Sequence, residues 1–183
     1  SLRQLFKDGQ RNIVSLILSR EVSTLTGAMR KAVHGCSQIM SILSALSMPA
    51  PDAFRKAAEV ALNDDLRKAL TSTPLDIVSL ERRVADAAVW GIPLDTASLG
   101  HEAVLRLEKF CRDIDDNPGN REILGEFHAL LSFLKRKSWD VNLWDVQNLF
   151  VRILNSGYMT DSGLSELYGE VGRLLLIRPG CSS

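Results

Sequence analysis

The chain has 183 residues, of which 45% are apolar and 24% charged, the composition of an ordinary globular protein. Lysine plus arginine equals aspartate plus glutamate at 22 each, so the net charge gives no long-range attraction to nucleic acid or to an anionic membrane. No apolar run approaches the roughly 18 residues of a membrane span, and the length predicts a single domain, residues 1–183, that buries its own core.

The cysteines are odd in number and widely spaced, at Cys36, Cys111 and Cys181. This pattern favours buried or incidental thiols in a reducing compartment over a disulfide framework. Charged residues interrupt the N-terminus at once, which argues against a signal peptide. The chain also lacks an initiator Met and begins directly with a helical pattern. We therefore expect it to be part of a longer protein.

The first quarter of the chain predicts a long N-terminal helix. Its apolar residues recur at steps of three, four and seven, and no proline occurs before Pro49. A helix of about 45 residues, roughly 65 Å long, is expected, with a bend near Gly27. Serines on one side, at Ser15, Ser19 and Ser23, form either a solvated face or a small-residue stripe that lets another backbone approach closely.

Six further amphipathic helices are expected after Pro49. Helix-start residues precede several of them, such as Thr73-Pro74 with Asp76, Asp95 or Thr96, and Asn142. The last helix begins near Asp161 or Ser162, and the residues from Arg178 onward look like a frayed tail. Because the connections are short, consecutive helices should pack antiparallel. The predicted fold is all-α, an antiparallel bundle of about six or seven helices.

No catalytic or metal-binding pattern is visible. The three histidines, His34, His101 and His128, are far apart, and none has a His or Cys four residues away on its helix. There is no phosphate-binding loop and no nucleophile elbow. The Lys135-Arg136-Lys137 run is too short for a nucleic-acid footprint. We expect no catalytic residue, no metal and no cofactor.

The stretch W-D-V-N-L-W-D-V-Q-N-L-F, from Trp139 to Phe150, is the least ordinary part of the chain. Helical spacing places Trp144 and Asn148 on a stripe about 100° from the core face, with Gln147 on the boundary. The predicted core face comprises Leu143, Val146, Phe150, Ile153 and Leu154. Either Trp144 packs inside the bundle and the two amides bond to nearby backbone, or these residues face a partner domain or a ligand.

Three stretches resemble the helical domain of unknown function found C-terminal to family-57 glycoside hydrolase-like domains, which are often called α-amylase or α-mannosidase related. They are Leu2-Arg3-Gln4-Leu5-Phe6 with Gly9-Gln10-Arg11, then Pro49-Ala50-Pro51 with Phe54, Ala57-Ala58-Glu59 and Leu62-Asn63-Asp64-Asp65-Leu66-Arg67, and Asn142-Leu143-Trp144-Asp145-Val146-Gln147-Asn148. The resemblance covers most of the chain, from about Leu2 to Phe150.

The resemblance implies a cytoplasmic protein whose chemistry lies upstream, in a distorted β/α barrel acting as a glycoside hydrolase or α-glucan transferase. Two acidic residues of such a barrel act through a covalent intermediate, and neither is present here. The chain would then be a non-catalytic accessory domain that packs on the barrel of the same polypeptide. Trp144, Gln147 and Asn148 are predicted to face that barrel or its α-glucan.

The alternative function is a helical protein-interaction or self-association module. The serine stripe and a long helix without an obvious partner motivate it. In this hypothesis the partner is another protein or a second copy of the chain, and neither hypothesis involves nucleic acid or a membrane.

Overall fold

The computed structural model describes residues 2–156 and 162–176, and the side chains of residues 9–156 and 164–176. Every regular element in these ranges is an α-helix, which confirms the all-α prediction. The helices are α1 (Leu2–Gly35), α2 (Ser37–Ala45), α3 (Asp52–Thr71), α4 (Ile77–Trp90), α5 (Thr96–Asp116), α6 (Arg121–Arg136), α7 (Trp144–Asn155) and α8 (Ser162–Leu174). The predicted helix start at Asp161, the predicted tail from Arg178 and the thiol of Cys181 lie outside the described residues.

The helices divide into two compact units. Unit 1 comprises Ser1–Asp65 and Ala85–Leu94, and unit 2 comprises Leu66–Val84 and Asp95–Ser183. The boundaries fall inside α3 and inside α4, so each of these helices contributes residues to both units. The single domain expected from the length stays a prediction.

The predicted N-terminal helix is interrupted at Cys36. The helix continues through Gly27 and ends eight residues later, where the Cys36 N–H donates to both the Ala32 and the Val33 carbonyls, at 3.1 and 3.2 Å. Such a shared bond is common at the end of a helix. A single glycine lowers the stability of a helix by only about 1 kcal/mol relative to alanine. The turns on either side of Gly27 therefore remain helical. The interruption explains why the described chain has eight helices rather than the predicted six or seven.

Two helices begin as their capping residues require, although one begins later than predicted. Asp95 accepts from the Ser98 N–H at 3.0 Å and caps α5, as expected. The helix expected from Pro74 instead begins at Ile77, because Asp76 is the capping residue and accepts from the Ser79 N–H at 2.9 Å. Thr73 and Pro74 therefore belong to the connection before α4.

Unit 1 has a small core rich in alanine. Its fully buried members come from the end of α1, from α2, from α3 and from the end of α4, and they include Val33, Met40, Ala58, Ala61, Leu62 and Ala87. An ion-pair cluster joins α1 to α3: Arg30 contacts both Asp64 and Asp65, and His34 Nε2 lies 2.8 Å from Asp65 Oδ2. The core and the cluster involve only the C-terminal part of α1.

Unit 2 is a helical bundle with a large aromatic core. Helix α5 packs on α6 and α7, and α6 packs on α8. Phe127 stacks on Phe150 with 5.6 Å between ring centroids, while Phe110 meets Phe127 edge-on at 6.4 Å. Phe150 also contacts Tyr168 at 5.8 Å. Each of these helices therefore buries its apolar face against its neighbours, as amphipathic helices do.

A buried arginine holds the connection before α4 in unit 2. Arg106 is only 8% exposed, and its guanidinium donates to the Ser72 carbonyl at 2.8 Å and lies over the Phe110 ring. Glu126 accepts from the Leu75 N–H at 3.1 Å and lies 3.7 Å from Arg106. The charge is thus paired and hydrogen-bonded, the condition under which a buried charge is tolerated.

Candidate interaction surfaces

The predicted site on α7 separates into an exposed and an engaged part. Trp144 is the first residue of the helix, is 63% exposed and donates its backbone N–H to Asn142 Oδ1 at 3.0 Å. Asn148, one turn further on, is also exposed. The half-buried Gln147 instead donates its amide to the Leu175 carbonyl at 2.6 Å. Trp144 and Asn148 are therefore free to meet a partner, whereas the Gln147 amide serves packing within this chain.

The core face predicted for α7 is largely the buried one. Val146, Phe150 and Ile153 are buried, while Leu143 and Leu154 are half-buried. Trp139 does not share the exposed stripe, because its ring packs edge-on against Phe133 at 5.4 Å. The aromatic stretch thus supplies both core packing and one exposed tryptophan.

Within the described residues, the largest group of exposed apolar side chains lies on α1, the long helix on which the interaction-module hypothesis rests. Every side chain of residues 9–25 is exposed. Seven large apolar residues there are 54–73% exposed: Ile13, Val14, Leu16, Ile17, Leu18, Val22 and Leu25. At 100° per residue they occupy roughly 240° of the helix circumference, and the remaining arc of about 120° carries Asn12, Ser15, Ser19 and Ser23. This wide distribution of apolar residues is visible in the sequence and indicates a surface that one neighbouring helix cannot cover. We name residues 9–25 the apolar segment of α1.

The serines on this segment are solvated. Ser15, Ser19 and Ser23 are exposed, and the Ser19 hydroxyl donates to the Ser15 carbonyl of the same helix at 2.8 Å. Within the described residues, no helix is both long enough and apolar enough to cross a membrane, and this includes α1.

Unit 1 also contains a groove lined by both apolar and polar residues. A cavity of about 310 Å³ lies between the end of α2, the start of α3 and the end of α4. Buried Met40 and Trp90 and half-buried Leu43 line it, and exposed Met48 and Val89 also border it. Arg55 from α3 borders it with a side chain that is 49% exposed and 3.8 Å from Asp52. The groove combines apolar walls with one accessible positive charge.

The titratable side chains in the described ranges show neither a metal-binding cluster nor an activated thiol. No group of three or more His, Cys, Asp or Glu side chains there is arranged to hold a metal ion. Burial raises the pKa of the Cys111 thiol to about 12, which suppresses its nucleophilic thiolate form. His34 and Arg30 share the Asp65 carboxylate, an arrangement that fastens α1 to α3.

Comparisons of the chain with models of known families, with curated proteins and with solved structures find no match. The resemblance to the family-57 helical domain therefore rests on the three sequence stretches quoted above.

Proposed function

We propose that the chain is a non-catalytic helical interaction module that docks through the apolar segment of α1. The observation that carries this proposal is the uneven distribution of exposed apolar residues. Of the seventeen large apolar residues that are exposed in the described ranges, thirteen belong to unit 1, and seven of these lie on the apolar segment.

Two physical arguments support a docking role for this segment. A helix surface that is apolar over roughly 240° of its circumference is normally buried, because water solvates such a surface poorly. A helical stretch whose side chains are all exposed is also only marginally stable in water, since packing supplies most helix stability in proteins. A partner that covers residues 9–25 removes both costs at once.

Site-specific photo-crosslinking tests the proposal. A benzophenone side chain replaces Leu18, and for comparison it replaces the exposed Arg121 of α6. We expect an adduct with the docking partner at position 18 and none at position 121, and the mass of the adduct identifies the partner. Val14→Glu and Val22→Glu in the labelled chain should abolish the adduct, because they place charges on the apolar docking surface. Absence of adducts at position 18 under conditions where the chain is folded would refute the proposal.

The second candidate is the accessory role beside a family-57 barrel. The exposure of Trp144 and Asn148 supports it, because an exposed indole packs on sugar rings and an amide bonds to hydroxyl groups. In this role the chain is cytoplasmic, its partner is the upstream barrel of the same polypeptide, and an α-glucan lies near Trp144.

Tryptophan fluorescence tests the sugar-binding part of this role. Titration with a linear α-glucan oligosaccharide should shift the emission of Trp144 to shorter wavelength as the sugar covers the ring. The shift should disappear in Trp144→Ala and persist in Trp139→Phe, because Trp139 already packs on Phe133. Unchanged emission at millimolar sugar would exclude the α-glucan as a ligand of this surface.

A further inference from the structure

We infer that the partner of the apolar segment is a second copy of this chain, and that α1 of each copy lies in the unit 1 groove of the other. This inference rests on the proposed interaction function and adds the identity and the geometry of the partner. It follows from a ridge, a groove and two opposite charges that all belong to unit 1.

The ridge is one stripe of α1. Val14, Leu18, Glu21 and Leu25 follow one another at steps of four, three and four, which places them on a single face of the helix. The three apolar members are each more than half exposed, and Glu21 is exposed between them. Ile17 and Val22 widen this face on its two sides. The stripe is an apolar ridge that carries one negative charge.

The groove combines apolar side chains with a basic one, whereas the ridge combines apolar side chains with an acidic one. Met40, Leu43 and Trp90 line it, and Met48 and Val89 add exposed apolar surface at its border. Its volume of about 310 Å³ accommodates a few aliphatic side chains. The Ser44 hydroxyl on its wall already donates to the Val89 carbonyl at 2.5 Å, so that polar group is satisfied without a ligand. The groove therefore offers apolar side chains beside polar groups of Ser47 and Arg55.

The charges match across the proposed contact. Glu21 is the only acidic residue between Gly9 and Thr26, and it lies within the ridge. Arg55 borders the groove with a side chain that is 49% exposed and that also lies 3.8 Å from the exposed Asp52. An ion pair between these two side chains gains strength when the surrounding apolar contacts exclude water. It also fixes which part of α1 enters the groove, because charge pairs set register more than affinity.

A two-fold pair uses both surfaces of each copy. An isologous interface must be self-complementary, and unit 1 supplies both the ridge and the groove. The five apolar ridge residues are each 54–59% exposed, and a two-fold pair covers them on both copies. A stable interface buries about 800 Å² per partner, slightly more than half of it apolar. The ridge is the main apolar contribution of each copy to such an interface.

Charge exchange between copies tests the arrangement by sedimentation. Glu21→Arg and Arg55→Glu each place like charges at both contacts of the dimer, so each variant alone should dissociate with a Kd at least tenfold above that of the unmodified chain. An equimolar mixture of the two variants should recover a mixed dimer, because each of its two contacts again joins an acidic and a basic side chain. A variant that is merely misfolded is not rescued in this way.

The control is Glu59→Arg, an equal charge change at an exposed position of α3 that does not line the groove. It should leave the Kd of the dimer unchanged. A monomer at every concentration up to hundreds of micromolar, or two variants that remain separate when mixed, would overturn the inference. If position 18 still forms adducts with a different protein in that case, the interaction function stands and only the second copy is wrong.

Discussion

Unit 1 and unit 2 bury their apolar residues to different extents. Only four of the exposed large apolar residues in the described ranges belong to unit 2, namely Val78, Leu105, Trp144 and Leu176. Unit 2 also contains the three largest fully buried side chains, Phe127, Phe133 and Phe150. The difference teaches that the helices of unit 2 satisfy one another, whereas α1 of unit 1 presents a surface that its own unit does not cover.

The physical reason lies in the distribution of apolar residues around each helix. Helices α5, α6 and α7 each have one apolar face, and contact with the neighbouring helices buries it. On α1 the apolar residues occupy several faces, so no single neighbour can cover them all. The five predictions below test this comparison, from the largest expected effect to the smallest.

The aromatic core of unit 2 should carry the largest share of stability. Phe127→Ala removes the ring that contacts both Phe110 and Phe150 and should lower the free energy of unfolding by about 3–5 kcal/mol. Leu18→Ala on the apolar segment of α1 should change it by less than about 0.5 kcal/mol in dilute solution, because that side chain is already exposed. Urea unfolding followed by circular dichroism measures both. Equal losses would contradict the comparison.

The cysteines should differ in reactivity between the units. Since burial raises the pKa of the Cys111 thiol to about 12, its alkylation at pH 8 should be on the order of a thousand times slower than that of an ordinary exposed thiol. The half-buried Cys36 of unit 1 should react faster than Cys111. A Cys181→Ser background isolates the two, and mass spectrometry times each modification. Comparable rates at the two sites in the folded chain would show that Cys111 is accessible.

The arginine contacts should also differ in strength. Arg106→Met in unit 2 removes the bond to the Ser72 carbonyl and leaves Glu126 without its counter-charge, at a cost of about 2 kcal/mol. Arg30→Met in unit 1 should cost less than about 1 kcal/mol, because its ion pairs are partly solvated. Urea titrations at pH 7 compare them. A larger loss for Arg30 would mean that the cluster between α1 and α3 contributes more to stability than the buried pair of unit 2.

Stability at alkaline pH should report the same burial of Cys111. In the unfolded chain this thiol ionises from its ordinary pKa of 9.0, whereas in the folded chain it stays protonated until about 12. Its contribution is therefore fully present below pH 9.0 and is lost as the pH rises toward about 12, with about 1.4 kcal/mol lost by pH 10. The difference in unfolding free energy between the unmodified chain and Cys111→Ala measures it. Tyr168, whose pKa burial also raises, contributes to both proteins and cancels in that difference. A pH-independent difference would contradict the burial.

The loss of a helix-capping residue should give the smallest difference in unfolding free energy between the two units. Asn120 accepts from the N–H groups of Glu122 and Ile123 at the start of α6, so Asn120→Ala should cost about 1 kcal/mol. Cys36 precedes α2 without a side-chain capping bond, and Cys36→Ala should cost only a few tenths. Thermal unfolding resolves the two, and Asn120→Asp, which keeps the accepting oxygen, serves as the control. No loss for Asn120→Ala would mean that α6 is held by packing alone.

The α7 region shows how far sequence reasoning reaches. Periodicity identified its core face, because that pattern depends on neighbours within one or two turns. Asn142 accepts from the Trp144 N–H, but the residue at the cap position is Leu143, one residue later than predicted, and it makes no side-chain capping bond. Periodicity placed Trp144 and Gln147 close to one another but did not decide which was exposed. The Gln147 amide is engaged because the Leu175 carbonyl, 28 residues away, lies within reach. Such a contact depends on the packing of α7 against the end of α8.

The sequence by itself determined the all-α class, six of the eight helices nearly to their ends, and the core faces of the helices in unit 2. These features depend on local helix propensity and on a 3.6-residue apolar period, and both can be recognised in a short stretch of sequence. Tertiary structure alone decided the interruption at Cys36, the division into two units and the exposure of the apolar segment of α1. An apolar residue reads the same in a sequence whether or not another helix covers it, because burial depends on residues distant in the chain.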